Sequence, residues 1–240
     1  MRYLRAVFQR RSLTLPGFVQ GCPTPFAAES EGTWMGGVPA GVDPTVPVSR
    51  SQFRDVAARV TDPVAVSPAL LELRFDVPRS VSALWATQSE EIRVLLTETV
   101  LRAVDDTVQM LDSAWVFARR GAGGVAQVAV ASPVAVCAFM HYFDRQGKPG
   151  LHVHIDVINV VLGSDGQASG MDVSTFRSAD ELAHERYASS LMSGLRELVG
   201  VASDISYGDD RRTHFEVAGV DPELIWDLPR VPLAPGDPRS

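Results

Sequence analysis

The stretch HYFDRQGKPGLHVH, residues 141–154, decides the fold and holds three of the chain's five histidines. Side chains alternate between the two faces of a strand, so His152 and His154 lie on one face, about 7 Å apart. The Gly- and Pro-containing middle of the stretch predicts a turn that folds the preceding strand back antiparallel. With that turn centred near Gly147, His141 lies opposite His152, where cross-strand Cβ atoms are about 5 Å apart.

This hairpin predicts a metal site. Three neutral imidazoles that leave coordination positions open suit a catalytic divalent ion, and Mg, Mn, Zn, Fe and Cu are all candidates. Asp156 continues the same face, as a fourth ligand or as an acceptor that orients a histidine N–H. The competing interpretation is three half-exposed strand histidines with no common function.

Mixed elements surround the hairpin. Between residues 71 and 75 the alternation of Leu, Glu, Leu, Arg and Phe predicts a strand with Glu72 and Arg74 on one face. Helical spacing and caps predict helices over 49–60, 89–119 and 178–199. The first of these helices opens with a serine cap. Ser178 and Glu181 form a capping-box pattern for the last of these helices.

Strands and helices that do not alternate strictly predict an α+β fold, with a central, mostly antiparallel sheet flanked by helices. We expect a single domain over residues 1–230, whose first 48 residues are irregular. The tail 231–240 is predicted to be disordered.

Composition limits the classes of function. The net charge of −7 argues against nucleic-acid binding, because phosphate contacts usually need a basic excess. Only one of the 22 basic residues is lysine, Lys148. The chain contains no apolar run near the roughly 18 residues of a membrane span and no secretory signal, so a cytoplasmic protein is expected. Its two cysteines are predicted to be free, with Cys137 in the core.

His141 with His152-Val-His154 resembles the three-histidine (HUH) metal motif of conjugative relaxases of the TrwC (MobF) type. Three other segments resemble relaxase segments and follow in the family's order: LELRFDVPRSVSALW (71–85), WVFARRGAGGVAQV (115–128) and HFEVAGVDPELI (214–225). The resemblance covers roughly residues 30–228.

The resemblance implies a fold and a chemistry. Relaxases of this kind carry a metal on one face of an antiparallel sheet, and the metal polarises a scissile phosphate of single-stranded DNA. An N-terminal tyrosine attacks and stays joined to the 5′ phosphate. An acidic residue on the strand before the P-K-S-V-S segment assists, and Glu72 matches it; a surface carboxylate paired with Arg74 is the alternative.

The expected tyrosine is missing. Family members carry tyrosines shortly before a Gly-x-Trp segment, but here Phe18 and Phe26 precede EGTWMGG (31–37). Tyr3 is the only N-terminal tyrosine and lies well upstream, as a possible nucleophile. Tyr142 is expected on the opposite face from the histidines, and Tyr187 within a helix.

Three hypotheses follow. The first is a metal-dependent enzyme on a relaxase-like scaffold, repurposed for metal-activated water or a small-molecule substrate, with Glu72 as general base. The second is a single-stranded DNA nicking and joining enzyme, and the third is a DNA-binding remnant of one. For the second and third hypotheses, the residues predicted to bind phosphates or other anions are Arg74, Arg79, Ser80, Ser82, Arg119 and Arg120.

Overall fold

A computed structural model describes residues 31–144, 146–200, 202–207 and 213–226. The helices of these residues are α1 (Arg50–Thr61), α2 (Arg79–Thr87), α3 (Glu90–Trp115), α4 (Val173–Ser178), α5 (Asp180–Val199) and α6 (Pro222–Trp226). The strands are β1 (Thr33–Gly36), β2 (Leu70–Asp76), β3 (Phe117–Arg120), β4 (Ala126–Ala129), β5 (Ala135–Phe143), β6 (Pro149–Ile158), β7 (Val161–Leu162), β8 (Ala168–Ser169), β9 (Ser203–Tyr207) and β10 (Thr213–Val217). The predicted α+β class is confirmed.

The central sheet has the strand order β1-β5-β6-β2, and every neighbouring pair is antiparallel. The hairpin of β5 and β6 lies in the middle, as the sequence predicts. The N-terminal segment was expected to be irregular through residue 48, which is wrong for Thr33–Gly36. These residues form the edge strand β1 because Trp34 and Met35 bury their side chains on opposite faces of the sheet.

Helices cover the two faces of the sheet unequally. One face packs against α2, α3 and α5 in the larger core. The other face carries a smaller core, in which Phe53 of α1 packs against Trp34 and Phe139 with ring centroids 5.5 and 5.8 Å apart. This smaller core belongs to one end of the face, so α1 does not extend over the histidine end.

Local sequence signals place α1 and α3 well. Ser49 caps α1, as predicted, and the structure adds both hydrogen bonds of a capping box. Helix α3 is continuous over 26 residues. The capping box predicted for Ser178 is wrong: α5 begins at Asp180, and the Ser178 hydroxyl donates instead to the Thr175 carbonyl, because residues 173–178 already form α4.

Three two-stranded ribbons complete the described part of the chain: β3 with β4, β7 with β8, and β9 with β10. Among the helices described, none combines the length and the hydropathy that crossing a bilayer requires.

Candidate metal centre

The register of the hairpin brings the three histidines together. His141 on β5 is the direct cross-strand partner of His152 on β6. Their rings stack with centroids 4.8 Å apart, and the His154 ring lies 4.7 and 5.2 Å from them. One ligand nitrogen from each residue lies within 4.8 Å of the other two. Nitrogens bound to one ion at about 2.1 Å are at most about 4.2 Å apart, so a small inward turn of the rings suffices to bind it.

Three rows of residues, each crossing β5, β6 and β2, form the face of the sheet around the triad. The registers align His141 with His152 and Asp76 in the first row. The second row consists of Phe139, His154 and Arg74, and the third of Cys137, Asp156 and Glu72. The third row is the one nearest α1, so the ligands lie where the apolar cover of the sheet ends.

Hydrogen bonds to two of the rings prepare them as ligands. The His152 Nδ1 lies 2.9 Å from the Gly150 carbonyl oxygen, which can only accept, so Nδ1 carries the proton. The His154 Nδ1 contacts the Glu72 carboxylate in the same way. Each ring therefore keeps its Nε2 lone pair for an ion, the arrangement typical of histidine ligands. Burial also lowers the pKa of His152, which favours the neutral form that binds metal. The donor set fits a divalent ion.

Glu72, predicted from the resemblance, lies at this centre, with its side chain 56% exposed. It holds the His154 ring, and it does not pair with Arg74. Arg74 instead donates from Nε and Nη2 to one Asp76 oxygen, at 2.9 and 2.6 Å. The interpretation of Glu72 as a surface carboxylate paired with Arg74 is therefore wrong.

Asp156 shares the face of the triad but does not belong to the metal-binding group found among the described residues. Its carboxylate accepts a hydrogen bond from Arg50 Nη1 at 2.9 Å, and its side chain is 9% exposed. Burial raises the pKa of Asp156, and the Arg50 charge opposes that shift. The partner of this carboxylate in the structure is therefore an arginine. Within the described part of the chain, Asp156 neither joins the metal-binding group nor accepts a histidine N–H. Arg50 was missed because it lies 106 residues away in sequence.

A cleft of about 280 Å³ opens beside His152. Arg74 and Arg79, which were predicted to bind anions, line it, and so does Lys148. Lys148 was missed as a site residue, although its place in the turn of the histidine hairpin was a usable signal. Asp76 and Asp144 also line the cleft, so its charge is mixed with a small positive excess beside the triad.

Ser80 does not line this cleft, and Ser82 lines it with a hydroxyl that is already hydrogen-bonded. Ser80 is fully buried, and its hydroxyl accepts the Val217 N–H at 2.8 Å. The Ser82 hydroxyl is also buried and accepts the Leu151 N–H at 3.1 Å. Both serines connect α2 to neighbouring strands, so the structure gives them a role in the fold and does not support the predicted phosphate contacts.

Arg119 and Arg120 lie on β3, outside the central sheet. Arg119 pairs with Asp172 at 2.8 Å. Arg120 makes two hydrogen bonds to Asp165, at 2.6 and 2.7 Å. The structure therefore does not bring this pair to the histidine face, and nearby carboxylates already hold both side chains.

Neither Tyr142 nor Tyr187 reaches the triad face. The Tyr142 ring stacks on Trp85 of α2, 5.1 Å away on the opposite side of the sheet, as predicted. Tyr187 is buried in α5 against Phe75, also as predicted. The possible nucleophile Tyr3 lies outside the described residues.

Comparisons with known proteins agree with this fold. A family model described as TrwC relaxase matches residues 26–228. A copper-bound complex of the conjugative relaxase TrwC with oriT DNA superposes with a TM-score of 0.63 at 24% identity, over 81% of this chain and 67% of that chain. A metal-bound TrwC complex with oriT DNA gives 0.62 at 22% identity, over 92% and 75%. No curated protein matches the chain.

Proposed function

This chain belongs to the TrwC relaxase family, and from that premise we propose that it is a divalent-metal-dependent enzyme acting on phosphodiester bonds of single-stranded DNA. The observation that carries the proposal is the convergence of three imidazoles beside a cleft whose cations, Arg74, Arg79 and Lys148, outnumber its carboxylates by one. Both TrwC structures contain oriT DNA and a metal, which is copper in one of them. They support the same substrate class and cofactor.

His141, His152 and His154 would hold the ion. When bound, a divalent ion supplies Lewis-acid polarisation of a phosphoryl oxygen. The protein's part is to keep the ligand rings in place: the Gly150 carbonyl orients His152, and Glu72 orients His154. The exposed side of the Glu72 carboxylate can also accept a proton from an attacking hydroxyl.

Arg74, Arg79 and Lys148 would bind the DNA backbone. The Arg74–Asp76 ion pair is exposed on both sides, at 50% and 69%. Exposed pairs are worth at most about 1 kcal/mol, so a phosphate can displace the carboxylate at little cost. A net charge of −7 weakens long-range attraction of DNA, whereas the cleft attracts it locally.

A second candidate is hydrolysis, with water as the nucleophile, of a small phosphate-containing or other anionic molecule. The distribution of tyrosines favours it, since the sequence has none between Tyr3 and Tyr142. Tyr142 lies on the wrong side of the sheet for attack. Under this proposal Glu72 serves as the general base, the covalent step of relaxases is lost and the scaffold is repurposed.

One experiment separates the candidates. Purified protein is incubated with fluorescent single-stranded oligonucleotides, with and without Mn²⁺, and products are resolved under denaturing conditions. A protein–DNA adduct that disappears in Tyr3→Phe supports nicking and joining, and cleavage without an adduct supports attack by water on DNA. Binding without cleavage would reduce the chain to a DNA-binding remnant. Absence of both binding and cleavage would refute the DNA proposal and leave the small-molecule candidate.

His152→Ala is the matched variant for the metal requirement. Removing one of three ligands should abolish metal-dependent cleavage and weaken Mn²⁺ binding, whereas DNA binding through the cleft should persist. Cleavage that survives in His152→Ala would show that the triad is not the reaction centre.

A further inference from the structure

We propose that Arg50 is a positioning residue: it binds the Asp156 carboxylate and so prevents Asp156 from disturbing the orientation in which the His154 ring binds metal. The inference rests on the proposed metal centre and adds two residues to it, neither of which contacts the ion. Asp156 was predicted as a fourth ligand or as an acceptor that orients a histidine N–H; its contact with Arg50 assigns it a different role.

Two carboxylates compete beside one histidine. Glu72 and Asp156 are direct cross-strand partners on the triad face, and both lie next to His154. Their like charges repel, and the His154 Nδ1–H can satisfy only one of them well. In the structure Glu72 holds that N–H, and Asp156 is turned to Arg50.

The Arg50 side chain is built into its position. It is the first residue of α1, directly after the Ser49 capping box. Its guanidinium carbon lies 4.3 Å from the centroid of the Phe139 ring, and Phe139 is the cross-strand neighbour of His154 on β5. Arg50 therefore spans from Phe139 to Asp156, and both of these residues are neighbours of His154 on the sheet.

The two carboxylates therefore have different partners and different roles. With Asp156 bound to Arg50, Glu72 alone accepts the Nδ1–H and the Nε2 of His154 faces the other two imidazoles. Without Arg50, Asp156 is released two residues from His154 on the same strand face. It then competes for the ring and pushes Glu72 away, and the ring loses its fixed orientation.

The first test uses metal-free protein. Long-range ¹H–¹⁵N spectra of the imidazoles report which ring nitrogen carries the proton. The His154 ring should show a single Nδ1–H form in the wild type and in Arg50→Lys, and a mixture in Arg50→Ala. An unchanged spectrum for a folded Arg50→Ala would overturn the proposal.

The second test measures binding of Zn²⁺ or Mn²⁺ alone by competition with a chelator. Loss of a group that orients a ligand typically costs 10–100-fold in metal affinity, so Arg50→Ala should bind about tenfold more weakly or worse. Arg54→Ala is the control, because Arg54 is exposed on the same helix and its charge also reaches Asp156. An equal loss in Arg54→Ala would replace the proposed contact with a general charge effect and overturn it.

A double variant isolates the competition. If released Asp156 is what disturbs His154, then Asp156→Val should restore the affinity of Arg50→Ala to within about threefold of wild type, and Asp156→Val alone should bind normally. A loss in Asp156→Val as large as in Arg50→Ala would contradict this. If the wild type binds neither ion, the metal centre itself fails, and the metal-free spectra still decide the role of Arg50.

Discussion

The replacement Ser82→Ala tests whether this serine supports the fold or contacts DNA. Its hydroxyl accepts the Leu151 N–H at 3.1 Å across a buried boundary between α2 and β6. Alanine removes the acceptor and leaves the N–H buried without its partner. Leu151 precedes the ligand His152 directly, so the bond also supports the start of the ligand strand.

The magnitude follows from that geometry. A stranded buried N–H costs about 1–3 kcal/mol of unfolding free energy. For a domain of this size each kcal/mol lowers the unfolding temperature by about 2–4 °C, so we expect a decrease of about 2–12 °C by calorimetry. Affinity for a single-stranded oligonucleotide, measured by fluorescence anisotropy on the folded variant, should stay within about twofold of wild type.

Ser164→Ala is the matched control, because Ser164 is exposed in the turn between β7 and β8 and its replacement should leave the unfolding temperature within about 1 °C. The reasoning is refuted if Ser82→Ala unfolds at the wild-type temperature but binds DNA several-fold more weakly. That pattern would mean that the hydroxyl contacts phosphate, as the sequence predicted, and that Leu151 finds another acceptor.

Three further predictions concern charge and burial. Replacing Arg79 and Lys148 together by alanine should weaken binding of all single strands and lower the slope of log K against log salt by about 2, one unit per lost phosphate contact; an unchanged slope would exclude these cations from the interface. Burial raises the pKa of Asp172, but the hydrogen bonds that it accepts outweigh burial and hold its pKa well below the ordinary 3.8. The ionised Asp172 carboxylate therefore stabilises the protein above about pH 3.8, and this stabilisation is lost as the pH falls below that value. In urea titrations, Asp172→Asn should therefore lose less stability than wild type between about pH 4 and 2. Parallel losses in the two proteins would contradict this prediction. Burial, with a smaller effect of a nearby carboxylate, raises the pKa of Cys137 to about 12. In a Cys22→Ser background, Cys137 should therefore resist a thiol reagent at pH 8 until denaturant is added, and prompt labelling of the native protein would count against the buried position.

The local pattern of the sequence determined the ligand hairpin. Side-chain alternation has a period of two residues, so His152 and His154 had to share a face, and a short turn set His141 against His152. The cap at Ser49 and the apolar repeat of α3 are likewise local, and the structure has both. Such features depend on residues a few positions apart, which is why they can be read along the chain.

Contacts between distant segments were decided only by the tertiary structure. Asp156 is bound to Arg50, 106 residues away, and nothing near either residue signals that partner. The serine hydroxyls of α2 were predicted to donate to phosphates, but the strands packed against them bury both serines. Arg119 looked like a phosphate ligand until the fold placed Asp172 beside it. The physical reason is that the partner of a polar side chain depends on which elements pack together, and packing is a property of the whole chain.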